Sequence, residues 1–147
     1  MSRTANLRRQ HDAAVIVVGD IQNILGSAGG RGQAERLCLL LAKLTGLLRI
    51  HFAQEDRTLY PLMQRSSNAE AATLAERYAA EMGEIGPVYA GFAERWSSRA
   101  SIEGGYDRFR READQVFAAL ADRIERENTV LYPMADSIRS SEIRFTA

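Results

Sequence analysis

Apolar residues recur along most of the chain at alternating spacings of three and four residues, the period of an amphipathic α-helix. Residues that favour helices fill the stretches between clusters of glycine and serine. These clusters lie at 26–32, 65–68 and 97–105. The pattern predicts helices over about 6–25, 33–64, 67–97 and 106–138, and a loose tail over 140–147. Amphipathic helices with short polar connections pack most simply as an antiparallel bundle. We therefore expect an all-α, up-down-up-down four-helix bundle that forms a single domain over residues 1–147.

Polar residues interrupt the apolar sides of three of these predicted helices. On the first helix the positions expected to face the core are Leu7, His11, Ala14, Val18, Ile21 and Leu25. On the second they are Leu37, Leu41, Leu44, Leu48, His51, Glu55 and Leu62. On the fourth they are Phe109, Ala113, Val116, Leu120, Arg123, Glu127, Val130 and Met134. Imidazole and charged side chains at such positions need partners, because their burial is otherwise unfavourable.

The third predicted helix leaves two registers open around an inward line of Tyr78, Ile85 and Phe92. Ser67 and Glu70 have the spacing of a capping box at its start. The register decides whether Glu81 lies at the edge of the interior or faces water. One register adds Leu74, Glu81 and Val88 to the core, and the other adds Ala75, Met82, Tyr89 and Trp96.

Composition and charge exclude several classes of function. The chain carries 19 basic and 19 acidic residues, so it lacks the electrostatic surface of a nucleic-acid or membrane-surface binder. Its single cysteine, Cys38, cannot form an internal disulfide and is expected to be a buried, unreactive thiol. The apolar run at 13–18 is too short for a membrane span and is followed by Asp20. A cytoplasmic protein with neither nucleic-acid nor membrane partners is expected.

The candidate chemistry begins with His51 and Glu55. Their spacing of four puts both side chains on one side of a helix, where they can bind one metal ion. Such a pair also arises by chance, and a histidine on an apolar side is more often a hydrogen-bonded core residue. His11 and Glu127 hold equivalent positions on other helices, which favours a shared ion in the core. Two imidazoles and two carboxylates suit iron or manganese better than a closed structural zinc site. Zinc remains an alternative metal.

An internal similarity relates the second and fourth predicted helices. The segments "EDRTLYP" (55–61) and "ENTVLYP" (127–133) share the glutamate, the leucine and the Tyr-Pro pair at identical offsets. We expect each proline to interrupt the helix and each tyrosine ring, Tyr60 and Tyr132, to cover the end of the bundle.

Three motifs resemble those of the hemerythrin-like, or HHE cation-binding, domains. They are "RRQHD" around His11, "HFAQEDRTLYP" with His51 and Glu55, and "ENTVLYP" with Glu127, in the family's order and spacing. The resemblance covers nearly the whole chain and implies a four-helix bundle that holds an oxo-bridged pair of irons. It implies that His11 and His51 are terminal ligands of the first metal, and that Glu55 and Glu127 are the carboxylates that touch it.

The chain departs from this family at the ligands of the second metal. Met82 stands near the position of an expected histidine on the third helix, and Arg123 stands four residues before Glu127. We expect Arg123 to replace the second metal by pairing with the carboxylates, so that one iron binds per chain. The alternative is a weaker second site made by Glu55, Glu81 and Glu127, which would hold a second iron. Arg123 could also extend to solvent at the edge of the bundle.

The resulting hypothesis is a non-heme metal-binding protein with an open coordination position for oxygen or nitric oxide. Its expected role is sensing of oxygen, nitric oxide or redox state, or iron handling, with a protein partner or a homodimer transmitting the state. The alternative is a metal-free interaction module that kept the bundle and lost the di-iron site. No further cluster of acids, bases or substrate-binding residues favours an enzyme.

Overall fold

The computed structural model describes residues 2–144, and all regular structure in that part of the chain is helical. The α-helices are α1 (Ala5–Leu25), α2 (Ala34–Gln54), α3 (Tyr60–Gln64), α4 (Ala69–Arg95), α5 (Arg99–Gly104), α6 (Tyr106–Arg126) and α7 (Tyr132–Ser137). One π turn, Glu55–Leu59, joins α2 to α3, and a second, Glu127–Leu131, joins α6 to α7. Short 3₁₀ turns lie at Gly30–Gly32 and Ser140–Glu142. The long helical segments are therefore α1, α2 with α3, α4, and α6 with α7.

The buried apolar side chains form two clusters. The larger cluster contains Ala14, Leu48, Leu120 and the aromatic residues Tyr89, Phe92, Trp96, Tyr106, Phe109 and Phe117. The smaller cluster contains Leu7, Leu59, Tyr60, Met63, Tyr78, Leu131, Tyr132 and Ile138. Along α1, α2 and α6, the buried polar residues lie in sequence between the members of one cluster and those of the other. The polar site therefore has apolar packing on both sides.

The π turns change the core register of the segments that follow them. Each turn holds one more residue than an α-helical turn, so every later side chain moves to the next position around the axis. Of the positions predicted to face the core, Val130 is therefore exposed, and Leu62 and Met134 pack only partly buried against the smaller cluster. The buried residues are instead their immediate successors, Met63, Leu131 and Ala135.

Two smaller register differences occur where no π turn intervenes. On α1 the buried position is Val17 rather than Val18, and on α6 it is Phe117 rather than Val116. Both alternatives fit helical spacing. The residue that projects deeper into the larger cluster takes the core position, and its neighbour packs partly buried against that cluster.

Helix α4 adopts the second of the two registers predicted for it. Ala75, Tyr89 and Trp96 are buried, whereas Val88 is 64% exposed. The helix begins after Asn68, whose side-chain oxygen accepts hydrogen bonds from the backbone N–H groups of Glu70 and Ala71. The predicted Ser67 cap is therefore wrong by one residue.

The segments predicted as a loop and a tail also differ from expectation. Helix α5 lies within 97–105, begins after a capping box at Ser98, and buries Ile102. The tail is held at 140–144, where Ile143 bridges to Ser66 and the Arg144 N–H bonds to the Arg65 carbonyl at 2.9 Å. Residues 145–147 of the predicted loose tail lie outside the described residues.

The continuous segment Ala34–Gln64 is long and apolar enough to cross a membrane by length and composition alone. The core helix of a soluble protein passes the same test. In this structure Leu37, Leu44 and Met63 of the segment are fully buried within the protein.

Replacing Asn68 by alanine is expected to lower the free energy of unfolding by about 1 kcal/mol, because two N–H groups at the start of α4 lose their side-chain acceptor. Chemical denaturation followed by circular dichroism measures the change. The matched control is Ser67→Ala, which removes an exposed hydroxyl next to the cap and is expected to change stability little. Equal losses for the two variants would contradict the assignment of Asn68 as the cap.

Candidate metal centre

The structure brings together His11 of α1, His51 of α2, and the first residue of each π turn, Glu55 and Glu127. Each side chain offers one ligand atom, and these four atoms all lie within 4.8 Å of one another. All four residues are buried. These are the four residues that the sequence singled out as candidates for the first metal.

The spacing of these atoms matches that of ligands around one ion. His11 Nε2 lies 2.7 Å from Glu127 Oε1 and 3.0 Å from His51 Nε2. His51 Nε2 lies 3.3 Å from Glu127 Oε1 and 3.5 Å from Glu55 Oε2. Ligands bound at 2.0–2.2 Å with right or tetrahedral angles between them are about 2.8–3.6 Å apart. These four donor distances are close to those expected around one metal ion.

Outer hydrogen bonds orient both imidazoles. The Nδ1 atom of His11 lies 2.8 Å from Asn128 Oδ1, and the Nδ1 atom of His51 lies 2.8 Å from Gln10 Oε1. An amide oxygen accepts, so each Nδ1 carries a proton, and the two Nε2 atoms face each other. Two lone pairs 3.0 Å apart repel unless a proton or a metal ion lies between them. This pair of rings is the observation that most directly fits a bound cation.

The π turns explain why a tyrosine accompanies each glutamate. In each turn the backbone N–H of the tyrosine bonds to the carbonyl of the glutamate five residues earlier, Tyr60 to Glu55 and Tyr132 to Glu127. This bond stacks residues i and i+5 on one side of the helix. Pro61 and Pro133, which lack an N–H for the normal ladder, follow the tyrosines and favour the wider turn.

The prediction that Tyr60 and Tyr132 cover the end of the bundle is therefore wrong. Both are buried, and both hydroxyls reach the carboxylates: Tyr132 donates to Glu55 Oε2 at 2.8 Å, and Tyr60 lies 3.5 Å from Glu55 Oε1. The identical offset in the two related motifs was the available sequence signal. Helical spacing of 3.6 residues concealed it, because i and i+5 diverge on an α-helix.

Arg123 is fully buried next to the cluster and does not extend to solvent. Its Nε donates to Glu127 Oε2 at 3.0 Å, and its Nη2 donates to the Tyr60 hydroxyl at 2.7 Å and to the Tyr78 carbonyl at 3.1 Å. The guanidinium carbon also lies 4.6 Å from the centre of the Tyr78 ring. Glu127 thus turns one oxygen to the histidines and the other to a fixed cation.

Glu81 lies outside the four-residue cluster. Its side chain is 33% exposed and accepts hydrogen bonds from both terminal nitrogens of Arg126. The nearest atom of Arg123, Nη1, is 3.5 Å from Glu81 Oε2. Arg126 holds the pKa of Glu81 below its usual value. Met82, next in sequence, is half-buried on α4.

Burial and mutual contacts shift the acid–base behaviour of the cluster. Burial raises the pKa of Glu55 to about 7 against the hydrogen bond from His51. Burial alone would lower the pKa of His51, but its bonds to Glu127 and Glu55 outweigh this and raise the pKa to about 9. Burial would likewise raise the pKa of Glu127, but His11, His51 and Arg123 hold it well below the usual value. In the metal-free protein, Arg123 and a protonated His51 therefore offset the carboxylate charge.

A separate groove of about 670 Å³ lies between α2 and α4. Its wall includes Thr45, Arg49, Phe52, Tyr89 and Trp96, and none of the four clustered residues. The cluster itself is thus a closed polar centre rather than the floor of this groove.

An all-helical protein with a buried cluster of two histidines and two glutamates belongs to the class of helical metal-binding proteins. The comparison with protein families places the chain more closely. It belongs to the hemerythrin HHE cation-binding domain family, whose model matches residues 2–135. The resemblance predicted from the sequence motifs is confirmed. Comparisons with curated proteins and with solved structures gave no match.

Proposed function

We propose that this protein binds one non-heme iron ion through His11, His51, Glu55 and Glu127. The observation that carries the proposal is the division of the Glu127 carboxylate, which has Oε1 2.7 Å from His11 Nε2 and Oε2 3.0 Å from Arg123 Nε. In the related di-iron proteins the resemblance implies that such a carboxylate bridges two metals. Here the second oxygen already has a cationic partner.

Arg123 accounts for the loss of a second metal. Its guanidinium is permanently charged and fully buried, so a second cation placed on the same side would be repelled in a medium of low dielectric constant. Tyr60 links Arg123 to the second carboxylate. Its hydroxyl accepts a hydrogen bond from Arg123 and faces Glu55 Oε1. The exposure of Glu81 and its pairing with Arg126 weigh against a second site that uses Glu81.

The proposed role is sensing of oxygen, nitric oxide or redox state, or iron handling. Four protein ligands leave coordination positions for a small molecule, and the ligands come from three long helical segments that a change at the metal could shift. Reversible oxygen carriage as peroxide, which the resemblance associates with two irons, is disfavoured. A protein partner or a second copy of the chain would receive the change.

The order of the long helical segments is also part of the proposal. We infer that the long segments run alternately up and down, because the smaller core cluster joins the start of α1 (Leu7), the end of α2–α3 (Met63), the start of α4 (Ala71) and α7 (Ala135). That order matches an antiparallel four-helix bundle formed as a single domain. The cytoplasmic location stays a prediction.

Metal content tests the proposal. Protein made in iron-supplemented medium and purified without chelator or metal-affinity resin is expected to contain about one iron per chain, without the strong near-ultraviolet absorption of an oxo-bridged pair. About two irons with that absorption would contradict the single-metal site. Stably helical protein with background metal content would contradict metal binding altogether.

A second candidate function is a metal-free interaction module. The observation that favours it is the charge balance of the cluster, in which Arg123 and a protonated His51 offset two carboxylates without a metal. This candidate predicts that metal salts leave the melting temperature unchanged. Metal binding predicts a rise in melting temperature that grows with metal concentration.

Removing the outer hydrogen bonds is expected to weaken metal binding without abolishing it. Gln10→Ala and Asn128→Ala free the rings of His51 and His11, and each is expected to lower Mn²⁺ affinity about 10–100-fold. Competition with a chelating dye measures the affinity. Asn6→Ala is the control, because Asn6 is exposed and its side chain hydrogen-bonds to Gln54 and Arg9 rather than to either imidazole. Mn²⁺ affinities of Gln10→Ala and Asn128→Ala equal to that of Asn6→Ala would contradict an orienting role for Gln10 and Asn128.

Metal affinity is expected to rise with pH. In the metal-free protein the pKa of His51 is about 9 and that of Glu55 about 7, so at neutral pH a metal ion must displace the His51 proton. Apparent Mn²⁺ affinity should therefore rise about tenfold per pH unit between 7 and 9, more steeply below 7, and level off above 9. Calorimetry in buffers of different ionisation enthalpy counts the released protons. A flat profile from pH 6 to 9 would contradict these protonation states.

A further inference from the structure

The hydroxyl group of Tyr132 lies inside the ligand cluster. It is 2.8 Å from Glu55 Oε2, 3.1 Å from Glu127 Oε1, 3.2 Å from His11 Nε2 and 3.4 Å from His51 Nε2. The residue is fully buried. A hydroxyl donates one hydrogen, so it can donate to only one of the two carboxylates. A cation bound among these atoms would account for the approach of both carboxylate oxygens to the phenol oxygen.

We propose that Tyr132 is a fifth protein ligand, which binds a trivalent ion such as ferric iron as a phenolate. The inference rests on the proposed function, because it requires a metal in the cluster. Its oxygen stands in the same range of distances from the other donors as they do from one another. Tyrosine is a known type of iron ligand.

Charge favours the phenolate when the ion is trivalent. The two carboxylates leave one positive charge uncompensated on such an ion, and the permanently charged Arg123 lies next to it. A phenolate removes that charge from a buried site, where uncompensated charge is costly. On binding, the O–H bond of Tyr132 breaks, its proton passes to solvent, and an oxygen–metal bond forms. The oxidation state of the supplied ion does not change.

Tyr60 provides a matched comparison within the same chain. It occupies the equivalent position of the other π turn, but its hydroxyl accepts a hydrogen bond from Arg123 at 2.7 Å and lies on the far side of Glu55. Arg123 thus takes the place beside Tyr60 that a metal would take beside Tyr132. One tyrosine of the pair is assigned to the metal and the other to the guanidinium.

The functional consequence concerns the oxidation state that the site prefers. With five protein donors, an ion in six-fold coordination keeps one position for an external ligand. A phenolate stabilises trivalent over divalent iron, because it supplies a third negative charge. The proposal therefore narrows the role towards retaining ferric iron or responding to redox state.

The test loads metal-free protein with ferric nitrilotriacetate, removes excess iron, and records iron content and the visible spectrum. Wild-type protein is expected to show a visible phenolate-to-iron charge-transfer band. Tyr132→Phe should lose the band from the iron that it retains. The control is Tyr89→Phe, which removes a buried hydroxyl that bonds to Thr45 outside the cluster, and it should keep both iron and band. Resonance Raman spectra excited in the band of the wild-type protein should show phenolate ring modes, which makes the test independent of the folding of either variant.

The outcomes separate this inference from the proposed function. One iron per chain without a visible band, a band that survives Tyr132→Phe, or a band lost equally in Tyr89→Phe would each overturn the assignment of Tyr132 while leaving iron binding intact. Failure of the wild-type protein to retain iron would overturn both.

Discussion

Replacing His51 by alanine is expected to reduce stoichiometric iron to background. The imidazole contributes one of the four converging ligand atoms, and its Nε2 lies within 3.5 Å of all three others. Loss of an outer hydrogen bond to a metal ligand weakens binding about 10–100-fold, and loss of the ligand itself should exceed the upper value. Elemental analysis after purification and a titration with Mn²⁺ measure the effect. The variant is expected to remain helical, because the residues around the removed ring keep their other hydrogen bonds. Glu127 still bonds to His11, and Tyr132 still bonds to Glu55.

The control for this prediction is Ile50→Ala, which changes the neighbouring residue on α2. Ile50 is exposed, so its removal should leave metal content at the wild-type value. Metal content that survives His51→Ala would place the ion elsewhere. Absence of metal from the wild-type protein, with unchanged stability in His51→Ala, would instead favour the metal-free module.

Replacing Arg123 by alanine is expected to destabilise the metal-free protein by about 3–5 kcal/mol, because the buried Glu127 carboxylate and the Tyr60 hydroxyl both lose their cationic donor. A divalent ion bound to Glu127 Oε1 would offset part of that charge, so added Mn²⁺ should recover part of the loss. Urea denaturation with and without Mn²⁺ measures both effects. A large loss in the metal-free protein would support the proposal that Arg123 acts as an internal cation beside Glu127.

Arg126→Ala is the matched control, one helical turn from the same site. Arg126 also pairs with Glu81, but its side chain is 35% exposed. Removal of such a partly exposed ion pair is expected to change stability by less than about 1 kcal/mol. Equal destabilisation by the two substitutions would contradict the special role of the buried guanidinium.

The four candidate ligands lie where the sequence predicted them, in the core. His11, His51, Glu55 and Glu127 could be found in the sequence because each stands at a helical core position, where an unpartnered polar side chain is unfavourable. Their partners Gln10 and Asn128 could not be found in this way. These residues flank core positions, and only the packing of α1 against the neighbouring segments brings their amides to the imidazoles.

The sequence could not decide the positions of Arg123 and Glu81. The sequence allowed Arg123 either to pair with the carboxylates or to reach solvent, and it left Glu81 open as a carboxylate for a second site. Packing of α4 against α6 buries Arg123 against Tyr78 and leaves Glu81 partly exposed beside Arg126. Hydrophobic spacing cannot decide between such alternatives, since both fit the edge of an amphipathic stripe.

The sequence by itself determined the helical segments, the four buried ligand candidates and the absence of further histidines, because these depend on residue type and on a period that a regular helix imposes. Only the tertiary structure decided the register beyond Glu55 and Glu127 and the place of Tyr60 and Tyr132. The physical reason is that a π turn adds one residue to the helix without any break in the apolar pattern. That one residue brings the Tyr132 hydroxyl within 2.8 Å of Glu55 Oε2.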